Sequence, residues 1–364
     1  KSKILKQYAD LLVSLGVSKE NIIELNLENL QFEDLKDYHK LNEYILSRVT
    51  DNKDNYYVFI DEIQEVYNYE RVINSLNLMP NVDIYITGSN AYFLSGEFAT
   101  YLSGRYIEIP VYTLSFAELS GKNSDELSLY LQQGGYPYIR TTNISEELKQ
   151  DYLRGIYNTV VLKDVVQRKR VNDVDMLKSV AKFLSNNIGN LTSVPKIANS
   201  LTSYGRKTNP ITVENYISGL VDALLFYRVS RYDIKGKESL RNLNKYYICD
   251  IGLRNYVLSN KITDYGFLLE NVVFLELKRR GYEVSVGKIN DLEVDFVASK
   301  RDGEVEYIQV SLTVRDQTTL ERELKPMQKI RDSYPKKLIT LDNDPYRIID
   351  GIPQIYLLDW LIDY

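Results

Sequence analysis

Two adjacent carboxylates, Asp61 and Glu62, follow a run of five apolar or aromatic residues, 56–60. An apolar run without polar alternation predicts a strand that is buried on both faces, as in a parallel sheet. Open α/β sheets bind ligands at the carboxyl ends of their strands, where these two acids would lie. One carboxylate there can hold Mg²⁺, and the next can orient and deprotonate an attacking water. The alternative is a core strand that ends in a solvated acidic turn.

The first 125 residues alternate between helix and strand patterns. Helical spacing of apolar residues predicts helices at the following positions: residues 3–15, 32–49 and 69–78. Strands are predicted at the following positions: residues 22–27, 56–60, 82–87 and 106–111. Strands that alternate with helices indicate an α/β fold with a doubly wound parallel sheet.

Four segments of this region follow one another in a recognisable order: ELNLEN, YYVFIDEIQ, YITGSNAYFLS and LSGRYIEIPVYTLSFAEL. In this order they resemble the bacterial and archaeal AAA+-type P-loop ATPases that carry a C-terminal PD-(D/E)xK nuclease-like domain of unknown function. The resemblance covers nearly the whole chain, and its strongest pieces are FIDEIQ, TGSN and LSGRYIEIP. It implies an AAA+-like ATPase core at residues 1–125 that binds ATP and Mg²⁺. Asp61 would then hold the metal, as a Walker B acid, and Glu62 would be the catalytic base.

The resemblance also implies a glycine-rich phosphate loop directly before the first helix, ending in Gly-Lys-Ser or Gly-Lys-Thr. Lys1 and Ser2 are interpreted as the last two residues of that loop. Lys1 would then reach the β- and γ-phosphates, and the Ser2 hydroxyl would contact Mg²⁺. The alternative is that both are arbitrary N-terminal residues. The loop glycines cradle phosphates with their N–H groups, so we expect poor nucleotide binding without them.

Three further residues are candidates for contact with the γ-phosphate or the attacking water. Ser89 and Asn90 follow the predicted strand at 82–87, where the resembling family has a polar sensor. The alternative is an ordinary Gly-Ser-Asn turn. Arg105 is a candidate arginine finger or sensor that would stabilise transferring charge, in cis or in trans, with a surface arginine as the alternative.

Residues 126–262 are predicted to form a helical lid and a winged-helix domain. Two helix patterns, at residues 193–201 and 212–225, precede two strand patterns, at residues 226–232 and 244–248. The resembling family has a winged helix at this place. Thr212 is expected to cap the second helix. Four residues are expected to face the core of that helix: Tyr216, Leu220, Ala223 and Leu224.

Residues 151–210 carry ten basic side chains and four acids, a local charge of +6 in a chain whose net charge is −5. Such a region favours duplex DNA, with lysine and arginine side chains on the phosphates. The candidate phosphate contacts are Arg168, Lys169, Arg170, Arg206 and Lys207. Asn215 and Ser218 on the second helix would meet base edges. The alternative is that the winged helix mediates domain packing only.

Residues 263–364 are predicted to form a small α/β domain that resembles PD-(D/E)xK nucleases. The resemblance rests on Glu270 in a predicted helix, on Asp295 in a strand, and on Gln309 and Ser311 in the next strand. In the nucleases these positions place carboxylates and a lysine around Mg²⁺. In this chain Gln309 stands where the second acid is expected, and Ser311 stands where the lysine is expected. We therefore predict a nuclease fold that serves as a binding module and does not cut DNA.

Composition excludes several other classes of protein. With 364 residues, 44% apolar and 26% charged, the chain suits two or three globular domains. One cysteine, Cys249, allows no intramolecular disulfide and suits a reducing, cytoplasmic compartment. A lone histidine gives little support to histidine metal sites or Ser-His triads. No run approaches 18 apolar residues, so no transmembrane helix is expected.

The sequence favours an ATP-hydrolysing switch or motor with a nuclease-like partner domain. A DNA-binding regulator or defence-type sensor that uses ATP as a ligand, not a fuel, is the first alternative, and an active nuclease is the second. The expected partners are ATP, duplex DNA, and a second copy of the chain or a protein client. No membrane partner is expected.

Overall fold

The computed structural model describes the following residues: 1–50, 54–88, 104–119, 121–166, 171–259, 264–344 and 347–363. The chain forms two compact units, Lys1–Val111 and Tyr112–Tyr364. The first contains a three-stranded parallel sheet, and the second contains an eight-stranded mixed sheet.

The sheet of the first unit has the order β1–β2–β3. Its strands are β1 (Ile22–Asn26), β2 (Tyr56–Asp61) and β3 (Val82–Ile86). Val58 and Ile60 enter one hydrophobic core, whereas Phe59 enters another together with Ala9. Strand β2 is therefore covered on both faces, which explains its uninterrupted apolar sequence and confirms the predicted buried strand.

Helices of this unit connect the strands as predicted. They are α1 (Ser2–Ser14), α2 (Tyr38–Arg48) and α3 (Tyr69–Leu76), with short 3₁₀ helices at Lys19–Asn21, Leu30–Lys36 and Ile63–Glu65. The pattern that predicts one helix over residues 32–49 covers both a 3₁₀ helix and α2. Asp37 separates them, because its carboxylate accepts hydrogen bonds from the backbone N–H groups of His39 and Lys40, each at 3.0 Å.

The predicted strand at residues 106–111 is wrong. These residues, all of them described, form no strand, and Ile107 and Ile109 are 90% and 75% exposed. Apolar residues at alternate positions indicated a buried strand face, but no described strand covers that face. Pro110 also lacks the N–H group that a ladder of hydrogen bonds requires.

The second unit begins with a helical region. Its helices before the sheet strands are α4 (Ser124–Gln133), α5 (Pro137–Thr141), α6 (Glu146–Asn158), a π-helical stretch (Thr159–Val166), α7 (Val174–Asn186), α8 (Val194–Ser203) and α9 (Pro210–Asp222). The remaining described helices lie between the sheet strands or after them: α10 (Ile251–Val257), α11 (Tyr265–Arg279), α12 (Gln317–Gln328) and α13 (Leu357–Ile362). Asn209 is the N-cap residue of α9, and its side chain accepts from the N–H of Thr212 at 2.9 Å, so the predicted cap at Thr212 is wrong.

The expected core face of α9 is confirmed for three of its four residues. Tyr216, Leu220 and Ala223 are buried. Leu224 is not: it lies beyond the end of α9, has a left-handed backbone conformation (φ 57°), and is exposed. Helical spacing does not apply to a residue that follows the end of the helix.

The mixed sheet has the strand order β10–β11–β9–β8–β7–β6–β4–β5. Its strands are β4 (Phe226–Asp233), β5 (Glu238–Ile248), β6 (Glu283–Ile289), β7 (Leu292–Ser299), β8 (Val305–Ser311), β9 (Lys336–Thr340), β10 (Arg347–Ile349) and β11 (Ile352–Tyr356). The β4–β5 hairpin was expected to be a separate wing, yet β4 pairs in parallel with β6. The boundary proposed after residue 262 therefore does not coincide with a break in this sheet.

Candidate functional site

Polar side chains meet at the carboxyl ends of the three parallel strands in the first unit. Asp61, the last residue of β2, is only 6% exposed. Asn26, the last residue of β1, donates from Nδ2 to Asp61 Oδ2 at 3.2 Å. Thr87, which follows β3, donates from Oγ1 to Asp61 Oδ1. Both carboxylate oxygens of Asp61 are thus held by residues of the neighbouring strands.

Glu62 leaves the sheet with a left-handed backbone conformation (φ 57°, ψ 46°). Non-glycine residues adopt this region rarely, and it often occurs at functional sites. The Glu62 N–H donates to Thr87 Oγ1 at 3.4 Å, and Gln64 Nε2 donates to the Glu62 carboxylate. Burial raises the pKa of Glu62 above its ordinary value, while the hydrogen bond from Gln64 acts in the opposite direction. The carboxylate is therefore oriented and more basic than an exposed glutamate.

Lys1 lies at the same edge of the sheet. Its Nζ donates to the carbonyl oxygen of Gly88 at 2.6 Å, directly after Thr87. The charge of Lys1 also lowers the pKa of Glu62, although burial outweighs this effect. An ammonium group and two carboxylates at one strand edge can bind a phosphate together with a divalent cation.

Four further candidates in this region are Ser2, Ser89, Asn90 and Arg105. Ser2 is the first residue of α1 and is exposed, as is Arg105. Ser89 and Asn90 lie outside the described residues. The structure therefore brings together Lys1, Asp61 and Glu62, and the roles of all these candidate residues stay predictions.

Sequence reasoning missed Asn26, Thr87 and Gln64. The signal that could have found two of them is that a polar residue ends or follows every strand of a parallel sheet, at Asn26, Asp61 and Thr87. Parallel strands place their carboxyl ends at one edge, so these residues had to meet. Gln64 gives no such signal, because its contact depends on the turn at Glu62.

A second group of charged side chains lies in the mixed sheet. The Lys245 ammonium on β5 contacts Glu270 Oε1 at 2.7 Å, Glu293 Oε1 at 2.8 Å and Asp295 Oδ1 at 3.5 Å. Tyr247 OH donates to the same Glu270 oxygen at 2.5 Å. Glu270, Glu293 and Asp295 are hereafter the carboxylate cage. The structure thus places Glu270 and Asp295 together as predicted, with Lys245 and Glu293 as partners that the sequence did not reveal.

Helix α11 and strand β5 are fixed to each other next to the carboxylate cage. The Asn271 side chain accepts from the N–H of Ile248 at 2.9 Å and donates to its carbonyl oxygen at 3.0 Å. This pair holds the neighbouring Glu270 on the side of α11 where Lys245 and Tyr247 of β5 project.

Gln309 and Ser311 make hydrogen bonds to other groups of the second unit. Gln309 Oε1 accepts from the N–H of Asp295 at 3.3 Å, and its Nε2 donates to Glu323 Oε2 at 2.8 Å. Ser311 donates to the carbonyl oxygen of Thr313 at 3.1 Å. Gln309 therefore connects Asp295 to a further buried acid, Glu323 on α12.

Electrostatic shifts in the cage follow from its burial. Burial and then the charge of Glu270 raise the pKa of Asp295 to about 8, against the effect of Lys245. Burial also raises the pKa of Glu270. Burial lowers the pKa of Lys245, but Glu270, Asp295 and Glu293 together raise it above its ordinary value. The three acids therefore stabilise the charge of the Lys245 ammonium.

Some of the residues that were predicted to contact DNA lie in the described part of the chain. Residues 168–170 lie outside the described ranges. Arg206 and Lys207, between α8 and α9, are exposed, as is Asn215 on α9, and Ser218 is half-buried.

Comparison with protein-family models identifies the class of the N-terminal domain. A family model described as an AAA domain matches residues 1–120, and a model of a domain of unknown function matches residues 124–264. The N-terminal part is thus an AAA-type, ATPase-like domain.

Two similar proteins extend over nearly the whole chain. A protein of Haemophilus influenzae is 42% identical over 371 aligned residues, which cover 100% of this chain and 91% of that protein. A protein of Methanocaldococcus jannaschii is 32% identical over 372 aligned residues, which cover 94% of this chain and 80% of that protein. Both are named as uncharacterized proteins. The chain belongs to the same family as these two proteins.

In the part of the chain that the structure describes, no helix is both long enough and apolar enough to cross a membrane.

Proposed function

We propose that this protein binds ATP with Mg²⁺ and hydrolyses it, as an AAA-type switch or motor. The observation that carries the proposal is the position of Asp61. It ends the central strand of a parallel sheet, is held at both carboxylate oxygens by Asn26 and Thr87, and is followed by the oriented Glu62. The AAA match over residues 1–120 supports the same activity.

The residues of this edge fit a magnesium nucleotide. Asp61 offers a carboxylate with fixed direction, and hard oxygen ligands are the ones that Mg²⁺ prefers. Asp61 and the Ser2 hydroxyl would hold the ion, and the Lys1 ammonium would hold the phosphates. When bound, Mg²⁺ supplies charge neutralisation at the transferring phosphoryl group.

Glu62 is the proposed base. Its carboxylate would accept a proton from the attacking water, and its raised pKa brings it closer to the pH at which such a base works best. Gln64 and Thr87 would keep it in position through their bonds to its side chain and backbone. Ser89 or Asn90 would contact the γ-phosphate or the water, and Arg105 would stabilise transferring charge in cis or in trans.

The second unit is proposed to bind DNA or a protein partner without cutting DNA. Helices α8 and α9 would act as a winged helix together with the β4–β5 hairpin, and the exposed Arg206 and Lys207 would contact phosphates. In the nuclease-like part, Gln309 is engaged with Asp295 and Glu323, and Ser311 carries no charge. Neither can supply the acid or the lysine that cleavage requires.

Measurement of phosphate release tests the proposal. ATP turnover should be measured with Mg²⁺ on the 364-residue chain and on a version extended by a glycine-rich loop before Lys1. The extended protein should hydrolyse ATP, and Asp61→Asn in it should abolish the turnover that Mg²⁺ supports. An extended protein that does not bind ATP would overturn the proposal.

The second candidate function is a DNA-binding regulator or sensor in which ATP is only a ligand. It predicts tight ATP binding by the extended protein without turnover above the background rate. The same assay, combined with equilibrium binding of labelled ATP, therefore distinguishes the two functions.

A further inference from the structure

The carboxylate cage is assembled from elements that are distant in sequence. Glu270 lies on α11, Glu293 and Asp295 lie on β7, and the ammonium of Lys245 arrives from β5. Three ion pairs, at 2.7, 2.8 and 3.5 Å, join this one nitrogen to the three acids. The ammonium therefore stands where a cation bound by these carboxylates would stand.

The contacts of Lys245 match what an ammonium group can make. It has three N–H donors and no acceptor, and in the cage it meets three carboxylate oxygens. Its side chain is 3% exposed, and those of Glu270 and Asp295 are 7% and 11% exposed. A buried charge persists only where it is paired in this way, so the ammonium and the cage depend on each other.

We propose that the Lys245 ammonium is the resident cation of the carboxylate cage, that it excludes divalent metal ions, and that its removal converts the cage into a divalent-metal site. A lysine tethered to β5 is always at the cage, whereas a free ion must be captured from solution. A metal ion would also have to break three ion pairs.

The Mg²⁺ that the resembling nucleases hold at these positions therefore does not fit this site. The cage still has the oxygen donors that Mg²⁺ or Mn²⁺ prefers, but its centre is filled. The ammonium instead ties β5, within the matched residues 124–264, to α11 and β7 beyond them.

A Mn²⁺ titration tests the proposal. All proteins should be full length, free of nucleotide, and carry Asp61→Asn, so that the proposed nucleotide site adds no signal. Free Mn²⁺ is measured by electron paramagnetic resonance. With Lys245 in place we expect no saturable binding below about 1 mM, the weak limit of natural Ca²⁺ sites. With Lys245→Ala added, we expect one equivalent to bind below that limit.

Asp295→Asn in the Lys245→Ala protein is the control, and it should weaken the gained binding at least about tenfold because one charged ligand is lost. Circular dichroism must first show that each variant is folded. Where Lys245→Ala is not folded, Lys245→Gln replaces it, and the same gain is expected. The proposal is overturned by Mn²⁺ that binds with Lys245 present and is lost in Asp295→Asn. It is equally overturned by a folded Lys245 variant that binds no Mn²⁺.

Discussion

Replacement of Lys245 by methionine should strongly destabilise the second unit. Methionine keeps most of the length of the lysine side chain and removes its charge, which leaves Glu270, Glu293 and Asp295 without their common cation. Removing one partner of a buried ion pair costs about 3–5 kcal/mol. For a unit the size of residues 112–364, about 1 kcal/mol corresponds to about 2 °C. We therefore expect the melting temperature of this unit to fall by about 6–10 °C.

Lys300→Met provides a matched control for this measurement. Lys300 makes an ion pair of 2.8 Å with Glu304 in the same unit, but these side chains are 32% and 47% exposed. Exposed pairs contribute little to stability, so the melting temperature of this variant should change far less than that of Lys245→Met. Calorimetry of both variants, at a pH above the pKa of about 8 of Asp295 so that this acid is charged, tests the difference. If Lys245→Met melts at the same temperature as Lys300→Met, the ammonium is not what neutralises the cage.

Three further outcomes are expected. The pKa of Asp295 is about 8 in the folded chain and ordinarily 3.8, so between these pH values the folded state holds a proton that the unfolded state has lost. The stability of the second unit should therefore fall as pH rises through that window, and calorimetry of Asp295→Asn should show a flatter dependence on pH. Duplex DNA binding, if phosphates dominate it, should weaken steeply with salt, and Arg206→Glu with Lys207→Glu should reduce it in gel shifts, whereas equal binding by both proteins would leave this surface without a role. Purified protein should not nick plasmid DNA with Mg²⁺ or Mn²⁺; nicking that disappears in Asp295→Asn would contradict the inactive interpretation.

Sequence alone predicts the central strand and its acids because the signal is local. Residues 56–60 are apolar without alternation, which only a strand covered on both faces requires, and Asp61 must then lie at its carboxyl end. The partners of Asp61 are harder to predict. Asn26 and Thr87 are ordinary polar residues at strand ends, and their meeting depends on the parallel order of the strands.

The carboxylate cage shows why contacts between residues that are distant in sequence could not be predicted. Lys245 is 25 residues from Glu270 and 50 residues from Asp295 in sequence, and no motif marks it. Its contact with them depends on how β5 joins the mixed sheet, whereas the predicted domain boundary after residue 262 separates β5 from Glu270 and Asp295. The prediction of a strand at residues 106–111 was wrong for the opposite reason. Its local pattern is clear, but no described strand pairs with these residues.

ATP turnover by Glu62→Gln in the protein extended by a glycine-rich loop tests the proposed function most directly. The substitution keeps size and hydrogen bonding but removes the base, so ATP should remain bound while turnover falls by about 10²-fold or more. Glu65→Gln, the same change at the end of the adjoining 3₁₀ helix, is the control and should leave turnover near that of the unaltered protein. Turnover that is unchanged in Glu62→Gln would contradict the assignment of Glu62 as the base.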